Sequence, residues 1–301
     1  MKAGTSRSAK HRRCLIALAE YRRNAEIVPG GNLPPGIFRF ALAIEYRGNH
    51  YHGWQRLTGH VELATVQAAL ERALSFVAAE PITVVCAGRT DAGVHATNQI
   101  VHFDTVAQRD EKAWVMGVNA QLPADIRVRW VRPVTAEFHA RFSARARTYR
   151  YLIANTPTAP AIADGQCLWV RKPLDIAAMQ QAANYCLGAR DFSSVRSSRC
   201  QAKNPVRTLH QFSFTPVNHW IVVELRGNAF LHHMVRNLMG LMLPVGLGVQ
   251  KPEWIRDVLA LRDRKHIGKT EAPNALYLVK VEYDKDYGLP VFAKGPFMLP
   301  D

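Results

Sequence analysis

Residues 86–103 read CAGRTDAGVHATNQIVHF, a run with one carboxylate, Asp91, in its middle. No other acid occurs from Pro81 to Phe103. The apolar ITVVCAG ahead of the turn reads as a short strand, and IVHFDT behind it reads as another. Gly88 and Gly93 bracket Arg89, Thr90 and Asp91, so a tight turn can lift the aspartate off the end of the first strand. Small neighbours leave room for a ligand to approach the backbone closely. Taken locally, the plainer reading of Asp91 is a turn residue or a surface partner of Arg89, because aspartates are common in turns. The stretch is not a phosphate loop, since it lacks both GxGxxG and a GK[ST] ending.

Outward from this turn, strands and helices mix without strict alternation. FRFALAIEYRG reads as a strand ending at a glycine turn. TVQAALERALSFVAAE places Val66, Leu70, Leu74 and Val77 at helical spacing behind an N-cap candidate, Thr65. A helix follows around 111–120, and IRVRWVRPV and TYRYLIAN read as strands. In the second half, DIAAMQQAANYCLG is an amphipathic helix with Asp175 near its start. TLHQFSFTPV and HWIVVELRG are strands joined by a polar turn at Asn218 and His219. FLHHMVRNLMGLMLPVG and KPEWIRDVLAL read as helices, and ALYLVKVEY as a last strand. This order predicts an α+β fold with mainly antiparallel sheet and flanking helices. The similar content of the two halves predicts two related lobes around a cleft. Residues 1–36, basic and ending in the turn-rich VPGGNLPPG, are expected to be a poorly ordered extension. The lobes are expected over 37–140, carrying Asp91, and 141–284, with a C-terminal tail over 285–301.

The whole chain of 301 residues is 48% hydrophobic and 21% charged, enough apolar material for a sizeable core. Its formal charge of +15 points to a polyanionic partner, nucleic acid above all. No lysine-rich amphipathic helix supports a membrane surface instead. The five cysteines are scattered and form no CxxC pair, which fits a reducing compartment. CLIALA is too short for a secretory core and no transmembrane run exists, so a cytoplasmic protein is expected.

Two further stretches stand apart. Residues 126–151 hold seven arginines, at 127, 129, 132, 141, 145, 147 and 150, with no lysine and one acid, Glu137. Arginine contacts phosphate in a planar bidentate manner and stacks on bases, so arginines interleaved with Tyr149 and Tyr151 suggest an RNA track. On a strand, Arg145, Arg147, Tyr149 and Tyr151 would share one face. In GNAFLHHMVRNLMG, Arg236 is the only formal charge between Arg226 and Lys251. If buried in so apolar a helix it needs a carboxylate partner, and Asp91 is a plausible one. Such a pair would hold the aspartate ionised and oriented, which suits a nucleophile. On that helix His232, Arg236 and Gly240 would form one stripe, while the adjacent His232 and His233 would diverge. Without HExxH or paired Cys/His spacing, no metal site is read from the twelve histidines.

These stretches, with YRGNHYHGWQRL, TVQAALERALS, NAQLPADIRV, FHARFSARARTYRYLI and NPVRTL in the same order, resemble the tRNA pseudouridine synthase A family from about Ile37 to Tyr283. The resemblance implies the pseudouridine synthase fold, a homodimer and a basic cleft for tRNA, with no metal or organic cofactor. It implies that uridines 38–40 of the anticodon stem-loop become pseudouridines. It assigns Asp91 as nucleophile, Tyr149 as the ring against the target uracil and a candidate base, and Arg236 as the partner of Asp91. Arg89 is implied to contact RNA and help extrude the nucleotide, and Arg141, Arg145 and Arg147 are expected to bind tRNA. The chain departs from the family at Ala275, ahead of LYLV, and at Ala68, both places where glycine is usual. A tRNA-binding chaperone without activity is the alternative, which an altered Asp91, Tyr149 or Arg236 would have favoured. A metal-dependent hydrolase would call for clustered carboxylates or His/Cys ligands.

Overall fold

Residues 12–21 form a helix, α1, inside the segment whose composition suggests irregular chain. Its Cys14, Leu15 and Leu18 supply an apolar face, and Leu18 is buried against Ile37 and Val106. Packing of a few apolar side chains thus overrides the basic, turn-rich local composition. The computed structural model describes residues 12–21, 33–56 and 63–296, so the remainder of the N-terminal extension lies outside the described residues.

The chain sorts into two units that interleave, where one cut near residue 140 was expected. The first takes residues 1–90, 98–145 and 281–293, and the second takes 91–97, 146–280 and 294–301. In the first unit, β1 (Phe38–Tyr46) pairs antiparallel with β4 (Ile126–Val134), with an irregularity at Ala43/Ile44. β3 (His95–Thr105) flanks β1, and only Val85–Cys86 of the ITVVCAG run pairs with it, as β2. Helix α2 (Val66–Ala78) begins where the Thr65 hydroxyl accepts from the amide of Ala68, one of the two positions where the family usually has glycine. Helix α3 (Glu111–Gln121) is capped by Asp110 and buries Trp114 against Phe40 and Phe103. Beneath it Arg39 and Asp104 form a buried pair, with Nε 2.7 Å from Oδ1 and Nη2 2.8 Å from Oδ2. The same guanidinium donates to the carbonyls of Ala136 and Phe138 and to the Tyr21 hydroxyl of α1. Every side of the buried charge is therefore used.

In the second unit, β5 (Ala146–Ala154) lies beside β9 (Trp220–Gly227), then β8 (Val206–Val217) and β7 (Gly188–Asp191), all antiparallel. The β8–β9 hairpin turns at Asn218, which takes the left-handed conformation expected of a polar turn residue. β6 (Leu168–Trp169) pairs parallel with β5, and β10 (Leu276–Glu282) flanks the other side of β5. β10 also runs parallel to the first residues of β3, with Tyr277 opposite His95. Helix α4 (Ile176–Asn184) is capped by Asp175, and α6 (Trp254–Leu261) follows α5 (Met234–Gly246). α5 is almost wholly buried, and a Cβ at Gly240 would collide with the Lys269 carbonyl. Gly240 is thus the residue that lets the segment after α6 cross the helix closely.

The end of the chain is fastened to this second unit. Lys294 Nζ sits 2.8 and 3.0 Å from the two oxygens of Glu224, which also receives Arg150 Nε at 3.0 Å. The Lys294 carbonyl accepts from the Thr97 hydroxyl, and the Gly295 carbonyl accepts from Arg150 Nη1. Among the described residues, no helix is long and apolar enough to cross a membrane.

Candidate active site

Asp91 opens a tight turn, as the flanking glycines predict. Its carbonyl accepts from the amide of Val94, and Gly93 follows with φ +80°. A Cβ on Gly93 would lie 2.9 Å from Cγ of Pro273, so the position is closed to a side chain on both steric and conformational grounds. The turn presents the Asp91 carboxylate, largely buried, to three cationic or ionisable groups of the second unit. Arg236 Nη1 lies 3.2 Å from Oδ2, His232 Nε2 3.3 Å from Oδ1 and His233 Nε2 3.5 Å from Oδ2.

Arg236 stands in the first turn of α5, and its direction is fixed from the other side. Its Nε donates to the Glu271 carbonyl at 2.7 Å, and the Glu271 amide donates back to the Arg236 carbonyl. One face of the guanidinium is thereby committed to backbone and the other to Asp91. Burial pushes the Asp91 carboxyl up, but the hydrogen bond from His232 and the charges of His233, His232 and Arg236 outweigh it and hold it below the usual carboxylate range. The carboxylate is therefore kept ionised at neutrality.

Helical spacing predicts that the adjacent His232 and His233 diverge. The structure differs because α5 begins only at Met234. His233 takes a left-handed backbone, φ +63°, and this kink turns both rings to the same side, 4.0 Å apart between centroids. An H-H pair ahead of an apolar helix was the available signal, but its meaning depends on where the helix starts. Burial pushes His233 down, against the pull of Asp91 in the other direction.

The segment leading into α5 also meets the aromatic residue. Phe230 packs edge-on to Tyr149 of β5, with ring centroids 4.9 Å apart and planes at 80°. Asn228, at the root of the segment, accepts with its side-chain oxygen from the amides of Thr208 and Ala229. Its carbonyl accepts from Arg147 Nη1 at 2.8 Å, and the His232 carbonyl accepts from the Ser197 amide. One short stretch, 228–236, therefore carries the neighbours of both Tyr149 and Asp91.

On the opposite side, residues 271–274 gather further anchors. Tyr151 donates to the Ala272 carbonyl, Pro273 meets Gly93, and the Asn274 carbonyl lies 3.0 Å from His95 Nε2. Ala275, at the other position where the family usually has glycine, is fully buried in a short 3-10 turn that needs no left-handed residue.

The arginine track takes a different form from the one expected. All of β5 is buried, so Arg147 and Arg150 face the interior of their unit and are spent on Asn228 and Glu224. In the first unit Arg145 is exposed and bidentate to Asp284, at 2.7–3.2 Å. Arg141 and Arg89 are exposed, Arg141 lying over the Phe142 ring, and both bear on the same buried thiol of Cys86. That thiol is pushed up to about 12 by burial in spite of them. Asp91, Arg236, Tyr149 and Arg147 thus belong to the second unit, and Arg89, Arg141 and Arg145 to the first.

The tRNA pseudouridine synthase family model matches residues 42–143 and 182–284, which include every residue of the Asp91 cluster. The tRNA pseudouridine synthase A of Pseudomonas aeruginosa is 53% identical over 88% of this chain and 92% of its own length. Those of Shewanella loihica and Klebsiella pneumoniae are 51% and 50% identical, over 87% and 88% of this chain and 100% and 97% of their own lengths. A solved chain of a Cbf5-Nop10-Gar1 complex aligns over 68% of this chain and 45% of its own, with 10% identity and a TM-score of 0.30. That likeness is too slight to bear on the fold. With half of the aligned residues shared with these relatives over nearly their full length, the chain belongs to the tRNA pseudouridine synthase family.

Proposed function

We propose that this chain converts uridine to pseudouridine in tRNA, with the ionised carboxylate of Asp91 as nucleophile. The observation that carries the reading is the Asp91–Arg236 pair at 3.2 Å, held from behind by Glu271, in a chain of this family. The reaction breaks the C1′–N1 glycosidic bond, turns the uracil, joins C1′ to C5, moves the C5 proton to a base and returns a proton to N1. No atom is gained and no electron pair leaves, so an oriented carboxylate, a stacking ring and a weak base make up a sufficient set. Asp91 serves as the nucleophile, at C1′ or at C6, or assists formation of a glycal. Tyr149, braced by Phe230, stacks on the uracil and is the candidate base for the C5 proton.

The target nucleotide must leave its stack to reach Asp91, at a cost of roughly a few kcal/mol that backbone contacts offset. Exposed Arg89 and Arg141 suit those contacts. The names of relatives at 50–53% identity support tRNA as the substrate. The resemblance of the sequence motifs extends the reading to uridines 38–40 of the anticodon stem-loop and to a cytoplasmic homodimer. An inactive chaperone is disfavoured because Asp91, Tyr149 and Arg236 are all in place. The test is conversion of an unmodified tRNA transcript by Asp91→Asn and Asp91→Ala proteins. Both should bind the transcript and form no pseudouridine, and conversion by either would sink the assignment.

A further inference from the structure

We propose that Asp91, His232 and His233 bind one Zn²⁺, or a similar borderline transition-metal ion, and that the bound metal silences the enzyme by occupying the nucleophile. The silencing rests on the role of Asp91 given above, whereas the binding does not.

The donor set is two imidazoles and one carboxylate, which suits zinc, copper or nickel and disfavours magnesium. The three ligand atoms lie within 4.8 Å of one another, and His232 Nε2 is 3.3 Å from Asp91 Oδ1. Ligands about 2.0–2.1 Å from a tetrahedral zinc stand about 3.3 Å apart, so one edge is already at its length. The longest edge needs a contraction of at most about 1.5 Å, within reach of side-chain rotation. A second observation points the same way: His233 adopts a left-handed backbone that non-glycine residues avoid, and this kink is what brings its ring alongside that of His232. The side chain of His232 is 39% exposed, so an ion can enter and a water can complete the fourth position.

Arg236 is the opposing charge. It holds Oδ2, and its Nε stays on the Glu271 carbonyl, leaving Oδ1 for the metal in a carboxylate that bridges ion and guanidinium. Its charge weakens the site, so affinity in the micromolar range is expected. On binding, each imidazole offers its Nε2 lone pair and carries its proton on Nδ1.

The test uses chelator-treated full-length protein. Zinc chloride is titrated by calorimetry, cobalt(II) by its visible absorption, and tRNA conversion is followed with and without added zinc. One ion per chain, a tetrahedral cobalt band and conversion reduced roughly tenfold or more by zinc, restored by chelator, are the expected results. His232→Gln and His233→Gln should each weaken metal binding roughly tenfold or more. Unmodified tRNA added to the cobalt-loaded wild type should bleach the band, a reading that needs no variant. No binding at millimolar metal, affinity unchanged in both variants, a band indifferent to tRNA, or full conversion at full occupancy would each overturn the proposal. If Asp91→Asn keeps its activity, the nucleophile reading has failed separately, and cobalt binding is still read on its own.

Discussion

Arg236 reaches Asp91 with one nitrogen, 3.2 Å from Oδ2, while its Nε is tied to the carbonyl of Glu271 at 2.7 Å. The guanidinium fork is what allows both contacts at once. Arg236→Ala should lower turnover about 10²–10³-fold, the scale for losing one preorganised electrostatic partner. Arg236→Lys keeps a charge but cannot make both bonds, so single-turnover rates should fall between wild type and alanine. A lysine variant with wild-type rates would show that charge alone suffices.

Arg147 lies inside its unit and holds the carbonyl at the root of the 228–236 segment. Arg147→Met leaves that buried carbonyl short of a donor, at a cost of about 1–3 kcal/mol, and loosens the stretch bearing Phe230 and the histidines. Thermal stability and turnover should drop while tRNA affinity and its salt dependence hold. A weaker, less salt-sensitive complex with normal turnover would return Arg147 to the role of RNA contact.

Arg89 and Arg141 are exposed and should behave in the opposite way. Alanine at either position should weaken tRNA binding and reduce the slope of log affinity against log salt by about one. Arg145 is already paired with Asp284, so Asp284→Ala should free it and raise tRNA affinity modestly. Filter binding across a salt series separates these cases.

Gly93→Ala places a methyl group 2.9 Å from Pro273 Cγ and forces alanine to φ +80°. The conformational part alone is worth roughly 1–2 kcal/mol. Adding Pro273→Ala should recover the steric part only, leaving the double variant still less stable than wild type in urea unfolding. Full recovery would mean that the left-handed turn costs nothing here.

His102 and His139 make stability fall in mild acid. Both are held neutral, first by burial and then by the charge of Arg39; His139 is pushed down to about 4 and His102 lies well below its usual value. Their Nδ1 atoms accept from backbone amides at 3.1 Å, which only the unprotonated ring can do. The unfolded chain binds these protons near pH 6.5 and the folded chain does not, so stability is full above that pH and is lost as pH falls from there towards 4. Urea midpoints should decline between pH 6.5 and 4.5, and His139→Gln should flatten the decline.

Much of this could be read from the sequence where local chemistry is decisive. Thr65 and Asp175 cap their helices because a side-chain oxygen followed by an apolar repeat has one good conformation. The Asn218–His219 turn and the isolation of Arg236 and Asp91 are likewise local or compositional signals. What escaped were properties of tertiary packing. Periodicity could not show that β5 would be buried along its whole length, and that burial turned Arg147 and Arg150 inward. The start of α5 was placed too early because His232 and His233 suit a helix as well as a kink. Leu18 packs on Ile37 and Val106, residues far from it in sequence, so α1 left only a faint trace.

Glu224 takes its second cation from a segment far beyond β5 and β9 in sequence. Lys294 neutralises it and the Gly295 carbonyl satisfies Arg150, so two residues outside any strand complete the charge balance of the buried β5–β9 pair. The sheet can therefore form all its ladders and still hold an uncompensated carboxylate: Lys294→Met should leave every described strand in place yet lower stability, because Glu224 would keep Arg150 as its one cation.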